Sequence, residues 1–181
     1  MIIKVAQINS NGENLFEVSN QSGVIYYAKA PWLKLRLPFK MENLRTLNMT
    51  NRNGEVVYTT SYSVVENQIE TMLPMKFLWS SGQKFSRYAV IQNGECRGAF
   101  YSRQDGVWDD KLVVESNGRF IIGYDKCAGK IRAISLYENE HQIGQITKPL
   151  ATIGNLDNYY IHLLDEHVDL IPILSFFCYL L

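Results

Sequence analysis

The side chains best suited to nucleophilic, acid–base or metal chemistry are three histidines, His141, His162 and His167, and three cysteines, Cys96, Cys127 and Cys178. Neither set has the spacing such chemistry uses. His162 and His167 are five apart with Glu166 between them, which is not the H-E-x-x-H of a zinc helix, and a helix long enough to align them would run into Pro172. The cysteines are odd in number, far apart and lack a C-x-x-C pair, so inert, mostly buried thiols are expected rather than a disulfide framework or a zinc site. No G-x-S-x-G elbow, glycine-rich phosphate loop or dinucleotide fingerprint occurs. Ser, His and Asp can assemble from distant positions, so a hydrolase without a visible motif stays as the least supported functional reading. The expectation is a non-enzymatic protein without cofactor or metal.

Charge gives a sharper candidate. The segment APWLKLRLPFK (30–40) alternates, with Leu33, Leu35, Leu37 and Phe39 on one face and Trp32, Lys34, Arg36 and Lys40 on the other. One face is core and the other is basic. Lys29, Arg45 and Arg52 add to it against the single acid Glu42, and Trp32 is of the kind that suits a membrane interface. Trp32, Lys34, Arg36 and Lys40 are therefore the candidate residues for an anionic headgroup or an acidic partner surface. The plainer alternative is a solvated outer strand face.

Over the whole chain 18 basic residues balance 18 acidic ones, which argues against nucleic acid held by phosphate neutralisation. Asp157, Asp165, Glu166 and Asp169 form an acidic stretch. Calcium needs six or more oxygens from an ordered loop, and this stretch has neither the ligand order nor the mid-loop glycine of an EF-hand. Helix capping and solubility account for its charge.

These residues must be positioned by strands. Asn11-Gly12, Ser22-Gly23, Asn53-Gly54, Asn93-Gly94, Asp105-Gly106, Asn117-Gly118 and Ala128-Gly129 punctuate runs rich in Val, Ile, Tyr, Phe and Thr. The spacing predicts antiparallel pairs of 44–50 with 55–60, 88–92 with 96–101, 111–115 with 119–124, and 131–137 with 142–147 through ENEH. Residues 159–164 make the last strand. Eleven Tyr, eight Phe and three Trp fit strand propensity and cross-strand packing better than a ligand cage.

The end of the chain, DLIPILSFFCYLL (169–181), has no charge after Asp169, so a helix over 170–181 has no solvent face. It would reach about 18 Å, short of the roughly 30 Å of a bilayer core, so it is a buried pin and not a transmembrane segment. Asp169 is the expected N-cap, with Pro172 at the third helical position and Asp165 and Glu166 favouring the positive helix end. A mainly β chain of about ten to twelve strands plus one wholly apolar helix points to an antiparallel closed β-barrel that encloses the helix. A single domain over 1–181 is expected, with 169–181 as its central helix. Gly98, Gly123 and Gly144 fall inside strands, where glycine marks bulges and bends. The start, MIIKVAQINSNGE, carries no signal-peptide pattern, and a cytoplasmic protein, peripheral at the membrane, is expected.

The closing segment 148–181 resembles that of the tubby C-terminal-like superfamily, which includes LURP-one-related proteins and phospholipid scramblases: a strand (159–164), an acidic turn (165–169) and a terminal apolar helix (170–181). The resemblance implies the same helix-threaded barrel. For function it implies headgroup binding by basic residues outside the barrel. The cysteine-rich segment and extra N-terminal region of scramblases are missing, so scrambling is not carried over. Two functional readings lead. One is a binding module for anionic lipid headgroups or an acidic partner, and the other a structural or regulatory protein that assembles through protein contacts.

Overall fold

A computed structural model describes residues 1–10, 13–31, 46–66, 84–104, 110–128, 131–149, 156–166 and 168–178. The described residues form twelve strands: β1 (Ile2–Ser10), β2 (Glu13–Asn20), β3 (Gly23–Pro31), β4 (Asn48–Thr50), β5 (Val56–Glu66), β6 (Lys84–Gln92), β7 (Glu95–Gln104), β8 (Asp110–Ser116), β9 (Arg119–Ala128), β10 (Ile131–Glu138), β11 (His141–Pro149) and β12 (Asn158–Leu163). Each pairs antiparallel with its neighbours in the chain, and β1 closes on β12, giving an up-and-down barrel without a free edge.

Turn chemistry sets the register. Asn93 and Gly94 have φ of 52° and 81°, and Asn117 and Gly118 have 48° and 77°, the left-handed pair that joins two twisted strands tightly. The ENEH turn does the same without glycine, with Asn139 at 47° and Glu140 at 68°. The four predicted hairpins are present, and several strands run past their predicted ends because pairing continues beyond the apolar runs. The strand expected over 44–50 is shorter: β4 begins only at Asn48, residues 46 and 47 are not paired as strand, and 44–45 lie outside the described residues.

Four hairpins carry one unpaired residue just after the turn: Ile25, Val57, Arg97 and Ile143. Such bulges bend a strand and increase its twist, which a sheet needs in order to close. Gly98 and Gly144 directly follow two of them. Gly123 has no bulge beside it and instead makes room, since a Cβ there would stand 2.7 Å from Ile134 Cγ2.

Alternation places Ile3, Val5, Phe16, Val18, Ile121 and Ile161, among others, in the lumen, all buried. Lys4, Glu17, Lys29, Arg87 and Glu115 face outward, the reverse of the apolar outer band of a membrane-spanning barrel. Among the described residues no helix is long and apolar enough to cross a membrane.

The lumen is filled by helix α1 (Ile171–Phe177), every residue of which is buried. It enters where β12 ends, and it leans on β7: Phe177 meets Phe100 edge-on at 6.1 Å between ring centres. Both ends differ from the expected 170–181: the helix stops at Phe177 with Cys178 as its C-cap, residues 179–181 lie outside the described ones, and its start is different too. A 3₁₀ turn over Val168–Leu170 precedes it, Leu170 occupies the N-cap position, and no side chain caps it. The 3₁₀ turn carries Asp169 back to the rim, where its Oδ2 accepts a hydrogen bond from Asn117 Nδ2 at 3.4 Å instead. Pro172 lies in the first turn, where its missing N–H has no intrahelical partner to lose.

Candidate binding site at the barrel rim

The barrel has two unlike ends. At the helix-entry end lie the tight turns after β2, β4, β6, β8 and β10, and Arg119 and Glu138 form a two-pronged ion pair there. At the other end β3, β5, β7, β9 and β11 finish.

At that second rim the inward-facing register of β10 and β11 changes from apolar to charged. Ile134 pairs with Ile146, both buried, and two residues further on Arg132 pairs directly with Lys148. On the β9 side Asp125 Oδ2 accepts from Arg132 Nε at 2.7 Å, with Nη2 also on that oxygen. On the β12 side Asp157 Oδ2 accepts from Lys148 Nζ at 3.1 Å. The wall therefore reads Asp125, Arg132, Lys148, Asp157.

Asp157 is held by Gln7: the Gln7 backbone N–H donates to the Asp157 carbonyl oxygen at 2.8 Å, and the Asp157 N–H donates to the side-chain Oε1 of Gln7 at 3.1 Å. Lys148 Nζ also stands 4.9 Å from the centre of the Tyr159 ring, which is 2% exposed. Burial works against the ammonium, but hydrogen bonds to Tyr159 and Asp157 outweigh it and hold the Lys148 pKa above its ordinary value. Lys148 is thus a fixed cation at neutral pH. Burial pushes the Tyr159 hydroxyl up, opposed by Lys148, and burial also pushes up the Cys178 thiol at the end of α1. Neither group is a ready nucleophile.

Trp32, Lys34, Arg36 and Lys40 lie outside the described residues, as does Arg45; the segment 32–45 follows β3, whose last residue, Pro31, is at the Lys148 end. Lys29 is exposed near that end, whereas Arg52 sits in the turn after β4 at the opposite end, because β4 carries the chain back across the barrel. Arg52 is therefore separated from Lys29 by the length of the barrel. The acidic stretch is divided in the same way: Asp157 precedes β12 and Asp165, Glu166 and Asp169 follow it, so they stand at opposite ends. Among the described residues no three His, Cys, Asp or Glu side chains gather as a metal would need. His141 and His162 are exposed, and His167 lies outside the described residues. Cys178 is buried as expected, but Cys96 is exposed, near the start of β7 and opposite Ile91, which alternates with the buried Val90. The side chain of Cys127 is not described.

Sequence reasoning passed over Arg132 and Lys148. The signal was there: each is in phase with the apolar face of its own strand, Arg132 before Ile134 and Leu136 and Lys148 after Ile146. Compared with protein families, curated proteins and solved structures, the chain matches none.

Proposed function

We propose that this protein is a non-enzymatic binding module that takes an anionic ligand, a lipid headgroup or an acidic partner surface, at the rim where β10 and β11 meet. The direct pairing of Arg132 with Lys148 on the inner wall carries the reading. Two further observations support it. The lumen is occupied by the chain's own helix, so ligand contact falls to the rim and the outside. The sequence segment with Trp32, Lys34, Arg36 and Lys40 follows β3, whose last residue, Pro31, is at that same rim. A cytoplasmic, membrane-peripheral location goes with this reading. The helix-filled barrel also supports kinship with the tubby C-terminal-like superfamily.

Sedimentation with phosphatidylcholine vesicles carrying graded phosphatidylserine, at low and physiological salt, tests the lipid arm. Binding that falls with salt and with Lys34→Ala, Arg36→Ala and Lys40→Ala is expected. Binding that ignores all three substitutions would remove the basic segment from the account.

A second reading, assembly through protein contacts, draws on one outer row. Tyr101, Val113, Ile122 and Tyr137 are directly opposed across β7, β8, β9 and β10, with exposed Phe120 beside them. Gel filtration at a size above the monomer, lost in Phe120→Ser, would favour it.

A further inference from the structure

We propose that the outer face of β8 and β9 is a two-fold interface with a second copy of this chain. The inference rests on the assembly reading and names its partner.

Exposure marks the face. Among the described residues Phe120 and Tyr124 are the Phe and Tyr side chains that stand exposed, at 58% and 38%. They lie on one strand, two positions either side of half-buried Ile122, and all three point outward because Ile121 is a lumen residue. Tyr137 widens this stripe, meeting Tyr124 edge-on at 5.5 Å between ring centres. A contiguous aromatic patch of this kind is what protein contacts cover.

The register says which partner fits. β8 and β9 pair as Lys111 with Tyr124, Val113 with Ile122 and Glu115 with Phe120. Val113 and Ile122 make the centre, and each end has one charged residue on β8 and one aromatic residue on β9, the two charges being of opposite sign. A half-turn about an axis lying across the strands, through the central pair, sets Lys111 of each copy against Glu115 of the other. It also sets Tyr124 against Phe120 twice. An isologous interface requires a patch that complements itself in this way, and aromatic pairs reward the contact.

Both charges are held in place on this face. Lys111 Nζ stands 5.2 Å from the centre of the Tyr124 ring, and Glu115 accepts from Arg87 at 3.1 Å and from Tyr101 at 2.9 Å. Already partnered, they set the orientation of the pairing more than its affinity.

The charge of the whole barrel favours the same reversed arrangement. At the helix-entry end Arg97 and Arg119 are matched by Glu95 and Glu138, and Glu55, Glu140, Asp165, Glu166 and Asp169 stand there against Arg52. That end is net negative. Because the chain is neutral overall, the remainder is net positive, and two barrels side by side with ends reversed bring unlike charge together. Two convex walls touch over few strands, so the dimer should be weak and dependent on concentration.

The test is sedimentation velocity of the full chain over a concentration series at low and physiological salt. A monomer–dimer equilibrium is expected, weakened at least tenfold in Phe120→Ser and at least threefold in Lys111→Glu, with each variant checked for a cooperative melt. A short bismaleimide reads the register in a Cys96→Ser background, which removes the exposed thiol and serves as the blank. Phe120→Cys mixed with Tyr124→Cys should cross-link between copies. Phe120→Cys alone should not, because its two copies stand about 13 Å apart along the strands. Cross-linking of Phe120→Cys with itself, or a dimer indifferent to Phe120→Ser, overturns the two-fold face and leaves assembly through another surface. A monomer at every concentration up to about 1 mM overturns the inference and leaves the assembly reading only a different protein as partner.

Discussion

Gly98 of β7 lies directly against Ile173 of the central helix: a Cβ on Gly98 would stand 2.5 Å from Ile173 Cδ1 and 2.2 Å from the carbonyl oxygen of Glu115. The wall and the pin are thus fitted to each other at a point where one has no side chain. Gly98→Ala must move either the helix or the β7–β8 ladder. A loss of at least about 2 kcal/mol is expected, the upper part of the range for overpacked cores. Urea unfolding measures it; a loss below about 0.5 kcal/mol would mean the helix is not seated on β7.

Glu140 holds φ of 68°, a conformation in which an ordinary side chain costs about 1–2 kcal/mol relative to its usual backbone. Glycine relieves this strain and gives back part of the gain through greater freedom when unfolded. Glu140→Gly should stabilise the fold by roughly 0.5–1 kcal/mol. The same unfolding experiment reads it, and destabilisation would show that the β10–β11 turn is not the left-handed pair described.

Tyr58 packs edge-on to Tyr26 at 5.8 Å between ring centres, and burial together with Tyr26 pushes its hydroxyl pKa from 10.0 up to about 12. A pKa raised on folding gives stability that is complete below the unfolded value. It is lost as pH climbs through the folded value, because only the unfolded chain then ionises readily. The natural chain should therefore lose melting temperature between pH 10 and 12 more steeply than Tyr58→Phe, whose ring has no proton to lose. Parallel melting curves over that window would place Tyr58 in water.

How far the sequence could be read follows from where its signals are local. The hairpins at Asn93-Gly94 and Asn117-Gly118 were legible because two residues with positive φ settle a register on their own. The pin was legible because an uncharged run has no place but a lumen. The Asp169 cap was not, since a 3₁₀ turn and an available Asn117 compete with it, and Asn117 is far away in sequence. The Arg132 and Lys148 pairing needed a strand register, and a bulge at Ile143 shifts that register by one within β11. Alternation within each strand marked both residues as inward, but only the paired strands bring them face to face.

The central claim is that the barrel is closed around its own helix and so offers ligand only its rim and outer surface. The most direct measurement is the thermal melt, by circular dichroism, of a chain ending at Asp169. Removing α1 would leave Phe16, Phe100, Ile121 and Ile161 facing an empty lumen, at about 1.5–3 kcal/mol for each large side chain that loses its burial. The account predicts a chain without a cooperative transition. A soluble, cooperatively melting barrel would contradict it, and would place a ligand space where the helix is described.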